Sequence, residues 1–256
     1  MRDPLRDVKV LRDELSRGGC AIGSLVTLAD PLVIEIFGAV GFDFLVVDAE
    51  HSAQPSLGIR TMLQAAGGSS VVVIVRPRTL DPALIAHYLD LGAGGILAPF
   101  VETADDAARL VAACRYPRQG QRGFGPRRAS SFGLRTDQYM ADANDAILCL
   151  GIIESVRGAE HADSIVSQEG LDGVVIGPMD LTLDLGILGE LEHPRYLEAV
   201  AAIQAACKRH DKLLGIGCSG LEHAVESKTK GYSLLIATAD DNALRDGAAQ
   251  VVSALR

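Results

Sequence analysis

The chain has 256 residues, 48% of them hydrophobic and 22% charged, with a formal net charge of −9. That balance supports one large buried core and argues against disorder. The acidic excess, with only two adjacent arginines in the basic segment "GPRRAS" (Arg127 and Arg128), argues against a nucleic-acid track.

The opening segment "MRDPLRDVKVLRDELSRGG" alternates charged and apolar residues and reads as neither a signal peptide nor a membrane span. The five cysteines (Cys20, Cys114, Cys149, Cys207 and Cys218) are scattered, form no CxxC, and read as reduced thiols of a cytoplasmic protein. Short apolar runs follow in series: "AIGSLVTL" (21–28), "FDFLVVD" (42–48), "VVVIVR" (71–76) and "GGILAPF" (94–100). Four more are "AILCLGIIE" (146–154), "DGVVIG" (172–177), "KLLGIG" (212–217) and "YSLLIAT" (232–238). They are β-branched and continuously apolar, as parallel strands covered on both faces must be.

Between them lie helical patterns. "DPLVIEIFGAVG" has Asp30 as N-cap, Pro31 at the first helical position and Gly41 as a stop, and "TLDPALIAHYLDLGAGG" repeats this with Asp81, Pro82 and Gly92. The 3.6-residue period also runs through "ETADDAARLVAACR", "ESVRGAEHADSIVSQ", "RYLEAVAAIQAACKRH" and "DNALRDGAAQVVSALR". Eight strands alternating with helices over residues 1–256 predict a single (β/α)8 TIM barrel. A doubly wound nucleotide-binding sheet needs a G-x-G-x-x-G turn after its first strand, and none is present. One connection, 115–137, is long, irregular and rich in Gly and Arg, as functional loops are.

Barrel enzymes place their chemistry at the C-terminal strand ends. The second run delivers Asp48, Glu50 and His51, the third Arg76, the fifth Glu154, and the sixth is followed by "GPMD" with Asp180. Glu154 and Asp180 come from adjacent strands and suit a hard divalent cation; alternatively each caps a helix. Arg76 can hold a developing oxyanion or pair with Glu50. His51, unlike the other five histidines, sits at a strand end, where it either moves a proton or is structural. The backbone of Gly177, Pro178 and Met179 can receive a substrate carboxylate.

The series "GFDFLVVDAEHS", "VRP", "RYPRQGQRGFGPRRAS", "IIES" and "GVVIGPMDLTLDLG" resembles the HpcH/HpaI aldolases, class II metal-dependent pyruvate aldolases that include 2,4-dihydroxyhept-2-ene-1,7-dioate aldolase and macrophomate synthase-like members. The resemblance implies reversible cleavage of a 4-hydroxy-2-oxo acid to pyruvate and an aldehyde through a metal-stabilised enolate. It also leaves oxaloacetate decarboxylation, with or without carbon–carbon bond formation, as an alternative. It implies Glu154 and Asp180 as ligands of Mg²⁺ or Mn²⁺, with Co²⁺ or Zn²⁺ as further candidates. By the same resemblance Arg76 steadies the enolate and His51 is the acid–base group, oriented by Asp48 or Asp90. Arg122, Arg127 and Arg128 fall in the loop expected to meet the second substrate. The implied assembly is a hexamer, a dimer of trimers with the last helix exchanged between neighbours. Two positions depart from the family pattern: Ile152 where a glutamine is common, and Leu25 where a tryptophan is common; both reshape the pocket. A Schiff-base mechanism has no support, because Lys212, alone among the lysines in touching a strand, sits at the strand's start.

Overall fold

The computed structural model describes residues 4–53 and 55–256; Met1–Asp3 of the opening segment and Gln54 lie outside the described residues. In chain order the elements are α1 (Pro4–Ser16), β1 (Ala21–Val26), α2 (Pro31–Val40), β2 (Phe44–Asp48), α3 (Ser56–Ala65), β3 (Val72–Arg76) and α4 (Pro82–Asp90). Next come β4 (Gly95–Ala98), α5 (Ala104–Cys114), α6 (Thr136–Ala146), β5 (Leu148–Ile153), α7 (Val156–Glu160), α8 (Ala162–Val166) and β6 (Gly173–Ile176). The chain continues with α9 (Pro178–Asp184), α10 (Pro194–Arg209), β7 (Leu213–Gly217), α11 (Leu221–Thr229), β8 (Leu234–Ala239) and α12 (Asp240–Leu255).

The eight strands pair in sequence order, all parallel, and β8 closes on β1. This is the TIM-type barrel expected from the alternation of apolar runs and helices. The helix stops behave as read: Asp30 and Asp81 accept first-turn amides, Gly41 has φ +103° and Gly92 has φ +96°. Continuously apolar strands are explained by two cores. One lies between the barrel and its helices, and the other fills the barrel interior with Phe44, Val72, Leu97, Leu150 and Val175. Gly23 makes room for that filling, since a Cβ there would come within 2.4 Å of the Phe44 ring.

Several elements were not legible in the sequence. The opening segment is a helix: Val8, Leu11 and Leu15 of α1 join the interior core and stopper the barrel where its strands begin. The pattern over 154–168 is two short helices that break at His161. The connection after α5 ends in helix α6, whose Tyr139 and Ala143 are buried. No helix among the described residues is long and apolar enough to cross a membrane.

Candidate active site

Asp48 is the hub of the second strand's end. It is 1% exposed, and its Oδ1 accepts hydrogen bonds from the amides of Glu50 (2.9 Å) and His51 (3.3 Å) and from Arg76 Nε (3.0 Å). The Ser52 hydroxyl donates to the Asp48 carbonyl, closing the turn. A buried carboxylate needs such partners. The same pairing explains Arg76: Asp48 and Arg76 are register partners on β2 and β3, so their side chains emerge side by side at one mouth. Arg76 also reaches Glu50 Oε2 at 3.3 Å. Burial works against its charge, but its hydrogen bond to Asp48 and the nearby carboxylates outweigh it and hold the guanidinium above its ordinary value.

Glu154 directly follows β5 and is 4% exposed. Its Oε1 accepts the Phe100 amide at 2.8 Å. Phe100, just past β4, holds that amide in place from a left-handed backbone (φ +48°), a conformation that costs a residue with a side chain about 1–2 kcal/mol. Burial pushes the Glu154 carboxyl from 4.5 up to about 7; the Phe100 amide opposes this, while Asp180 and Glu50 reinforce it. Gly177, which opens α9, is required beside it. A Cβ there would sit 2.8 Å from both Glu154 Cβ and Glu154 Oε2. Asp180 lies in the first turn of α9, one strand on. Glu50 is likewise raised, first by burial, with Asp48 and Asp180 adding to it against Arg76 and His51.

Arg76, Glu154, Gly177, Pro178, Met179 and Asp180 line one cavity of about 260 Å³ at the C-terminal mouth of the barrel. Leu25 and Ile152, the two departures from the family pattern, line it as well. Four carboxylates (Asp48, Glu50, Glu154 and Asp180) crowd this mouth, and Arg76 is the one arginine among the described residues that line the cavity. Such a deficit of positive charge fits a divalent cation with oxygen ligands. No set of three or more His, Cys, Asp or Glu among the described residues is placed to hold a metal. Glu154 and Asp180 are carboxylates of the cavity lining that could hold such an ion together with water.

The remaining expected residues are placed otherwise. His51 is at the mouth, but its ring is 64% exposed and does not line the cavity; the carboxylate nearest its Nε2 is Glu50, at 3.7 Å, and Asp48 bonds its backbone rather than its ring. Asp90 ends α4, at the opposite rim, and so does not orient His51 in this chain. It pairs instead with Arg122 at 2.7 Å. Arg122 is 2% exposed and packed 4.5 Å from the Tyr116 ring, so it is a core ion pair rather than a group offered to a second substrate. Arg128 donates to the carbonyls of Leu63 and Leu91. Arg127 is exposed but on the same loop. The reason is topological: 115–135 follows a helix, and barrel helices run back to the rim where strands start. Sequence reasoning missed Phe100, Ser219 and Asn242; the last two line the cavity from beyond β7 and β8. The phase of the apolar runs placed those strand ends, but nothing in the sequence says which loop side chains turn inward.

With this geometry in hand, similarity to known proteins decides the family. The sequence pattern of the HpcH/HpaI aldolase/citrate lyase family matches residues 22–238. A 5-keto-4-deoxy-D-glucarate aldolase of Klebsiella pneumoniae is 42% identical over 196 residues, 76% of either chain. The chain belongs to the HpcH/HpaI aldolase/citrate lyase family. It is an aldolase, a carbon–carbon lyase. A family structure from Burkholderia cenocepacia superposes on this aldolase with a TM-score of 0.92 at 30% identity, covering 96% of this chain and 99% of the other. An HpcH/HpaI aldolase from Desulfitobacterium hafniense gives 0.90 at 30% identity, covering 96% of each.

Proposed function

We propose that this aldolase reversibly cleaves a 4-hydroxy-2-oxo acid to pyruvate and an aldehyde, with a divalent cation (Mg²⁺ or Mn²⁺ foremost) held by Glu154 and Asp180. The observation that carries the reading is the convergence of Arg76, Glu154 and Asp180 on one small cavity. When bound, the cation supplies Lewis acidity toward the 2-oxo group. Arg76, fixed by Asp48 through Nε, turns its remaining donors to the oxygen that gains charge as the C3–C4 bond breaks. The first-turn amides of Met179 and Asp180 border the cavity and suit the substrate carboxylate. His51, beside Glu50, takes the C4 hydroxyl proton directly or through a water. Reprotonation at C3 then releases pyruvate. No lysine lines the cavity among the described residues, which speaks against a Schiff base.

The exposed, loosely held His51 ring favours a second reading with the same machinery, oxaloacetate decarboxylation, because losing carbon dioxide needs no hydroxyl proton removed. The experiment for the main reading runs two treatments on one preparation. EDTA should abolish aldol cleavage, and Mg²⁺, Mn²⁺ or Co²⁺ should restore it, while borohydride with pyruvate should leave the enzyme active. Activity that survives thorough chelation, with pyruvate trapped on a lysine, overturns the reading.

Self-association, as the hexamer of the family resemblance, is part of the proposal. In α12 only Asp240 is buried, while Leu244, Val251, Val252 and Leu255 are 48–83% exposed. An apolar face of that size calls for a partner, here a second copy. Leu244→Asp with Val251→Asp should lower the sedimenting mass; an unchanged mass refutes the role of α12.

A further inference from the structure

The catalytic groups account for only one side of the cavity. Arg76, Glu154 and Asp180 come from the β3, β5 and β6 ends, whereas a further wall is built at and after the ends of β7 and β8 by residues that include Cys218, Ser219, Thr238 and Asn242. Arg76 is the one Lys or Arg among the described lining residues, so that wall, in which Ser219, Thr238 and Asn242 stand among Leu191, Ile236 and Ala239, carries no positive charge.

Two of its side chains have hydrogen-bonding capacity to spare. Asn242 stands in the first turn of α12, where Asn often serves as a cap. Here capping is done by others: Asp240 Oδ1 accepts the Asp241 amide at 3.0 Å, and Asp241 Oδ1 accepts the Asn242 amide at 2.8 Å. The Asn242 carboxamide makes no hydrogen bond among the described residues, yet it borders the cavity half-buried. Its donors and its acceptor are therefore available to a ligand. Its position is firmly set. Asp240 is 3% exposed, and its carboxylate accepts from Thr27 N (2.9 Å), Thr27 Oγ1 (2.8 Å) and Leu28 N (2.9 Å), pinning the start of α12 to the end of β1. Ser219 faces the same space. Its amide donates to His223 Nδ1 at 3.2 Å, so that nitrogen carries no proton, and the hydroxyl beside it keeps its lone pairs for another group.

We infer that Asn242 and Ser219 are specificity-determining residues that recognise a hydroxyl group on the aldehyde half of the substrate, on the carbon next to the aldehyde carbonyl. A carboxamide and a hydroxyl together offer the donor and the acceptor that a substrate hydroxyl uses, and the lack of cations on this wall matches a neutral group. The cavity is small, about 260 Å³, which favours the substituted carbon next to the carbonyl over more distant ones. The inference rests on the reading of the site as a pyruvate aldolase.

Glycolaldehyde and propanal test it, because they differ only by a hydroxyl in place of a methyl at the carbon in question. The assay is condensation with pyruvate, read as the ratio of kcat/KM for the two aldehydes. The wild type should prefer glycolaldehyde at least tenfold, since a site built to bind a hydroxyl strongly rejects the analogue without it. Asn242→Leu, close in size, should lower that ratio about tenfold or more, and Ser219→Ala should lower it by a smaller factor. Asn242→Ser serves where the leucine variant does not fold. A wild-type ratio near one, or an undiminished ratio in the Asn242 variants, overturns the inference. Pyruvate C3–H exchange by the wild type in heavy water separates the two levels. Exchange without hydroxyl preference refutes only the role of Asn242 and Ser219; absence of both exchange and condensation refutes the aldolase reading on which it rests.

Discussion

Glu154→Gln puts the electrostatics of the mouth to a direct test. The Glu154 carboxyl is raised from 4.5 to about 7, mainly by burial, so the folded chain binds its proton more tightly than the unfolded chain does. The sign follows. Below pH 4.5 both states are protonated and the group contributes nothing. Between 4.5 and 7 stability falls as pH rises, and above 7 the folded state bears the full penalty of a buried charge. At about 1.4 kcal/mol per pH unit, that penalty is roughly 3 kcal/mol at pH 8 and under about 1 kcal/mol at pH 5. Solvent screening removes little of it, because the residue is 4% exposed. Glutamine keeps an oxygen for the Phe100 amide and carries no charge. In urea titrations with EDTA, at one protein concentration, Glu154→Gln should therefore be more stable than wild type by about 3 kcal/mol at pH 8, with most of the gain gone at pH 5. Adding Mg²⁺ should stabilise the wild type and close the gap, since binding to the folded form alone adds stability. A glutamine variant no more stable than wild type at pH 8, or a gain equal at both pH values, refutes the argument that this carboxylate is held in an uncompensated acidic mouth.

Two further outcomes are expected. Arg76→Ala should reduce both aldol cleavage and pyruvate C3 exchange by roughly 10²–10³-fold; exchange in heavy water at an undiminished rate sinks the enolate role. His51→Ala should slow aldol cleavage more than oxaloacetate decarboxylation, and equal losses in the two rates mean that His51 is structural.

What the sequence determined by itself is what repeats along the chain. Apolar runs at regular intervals, each followed by a capped amphipathic segment, dictate eight parallel strands, because a strand buried on both faces and a helix covering it leave few other architectures. Strand phase also located Arg76 and Glu154, since the first polar residue after a buried run must lie at the strand mouth, and Asp180 follows in the first turn of the helix after β6. Tertiary structure decided everything that depends on what lies opposite. Asp48 became an anchor for Arg76 through the β2–β3 register, and Phe100 became the donor to Glu154 through a left-handed turn one strand away. Asp90, which ends α4, and the arginines of 115–135, whose loop leaves the end of α5, went to the far rim, and there Arg122 was consumed by Asp90 and two tyrosine rings. Asn242 entered the cavity because Asp240 ties α12 to β1 across more than two hundred residues of chain. Local pattern encodes which segments are buried; the partners of a polar side chain are fixed only when the barrel closes and distant strand ends meet.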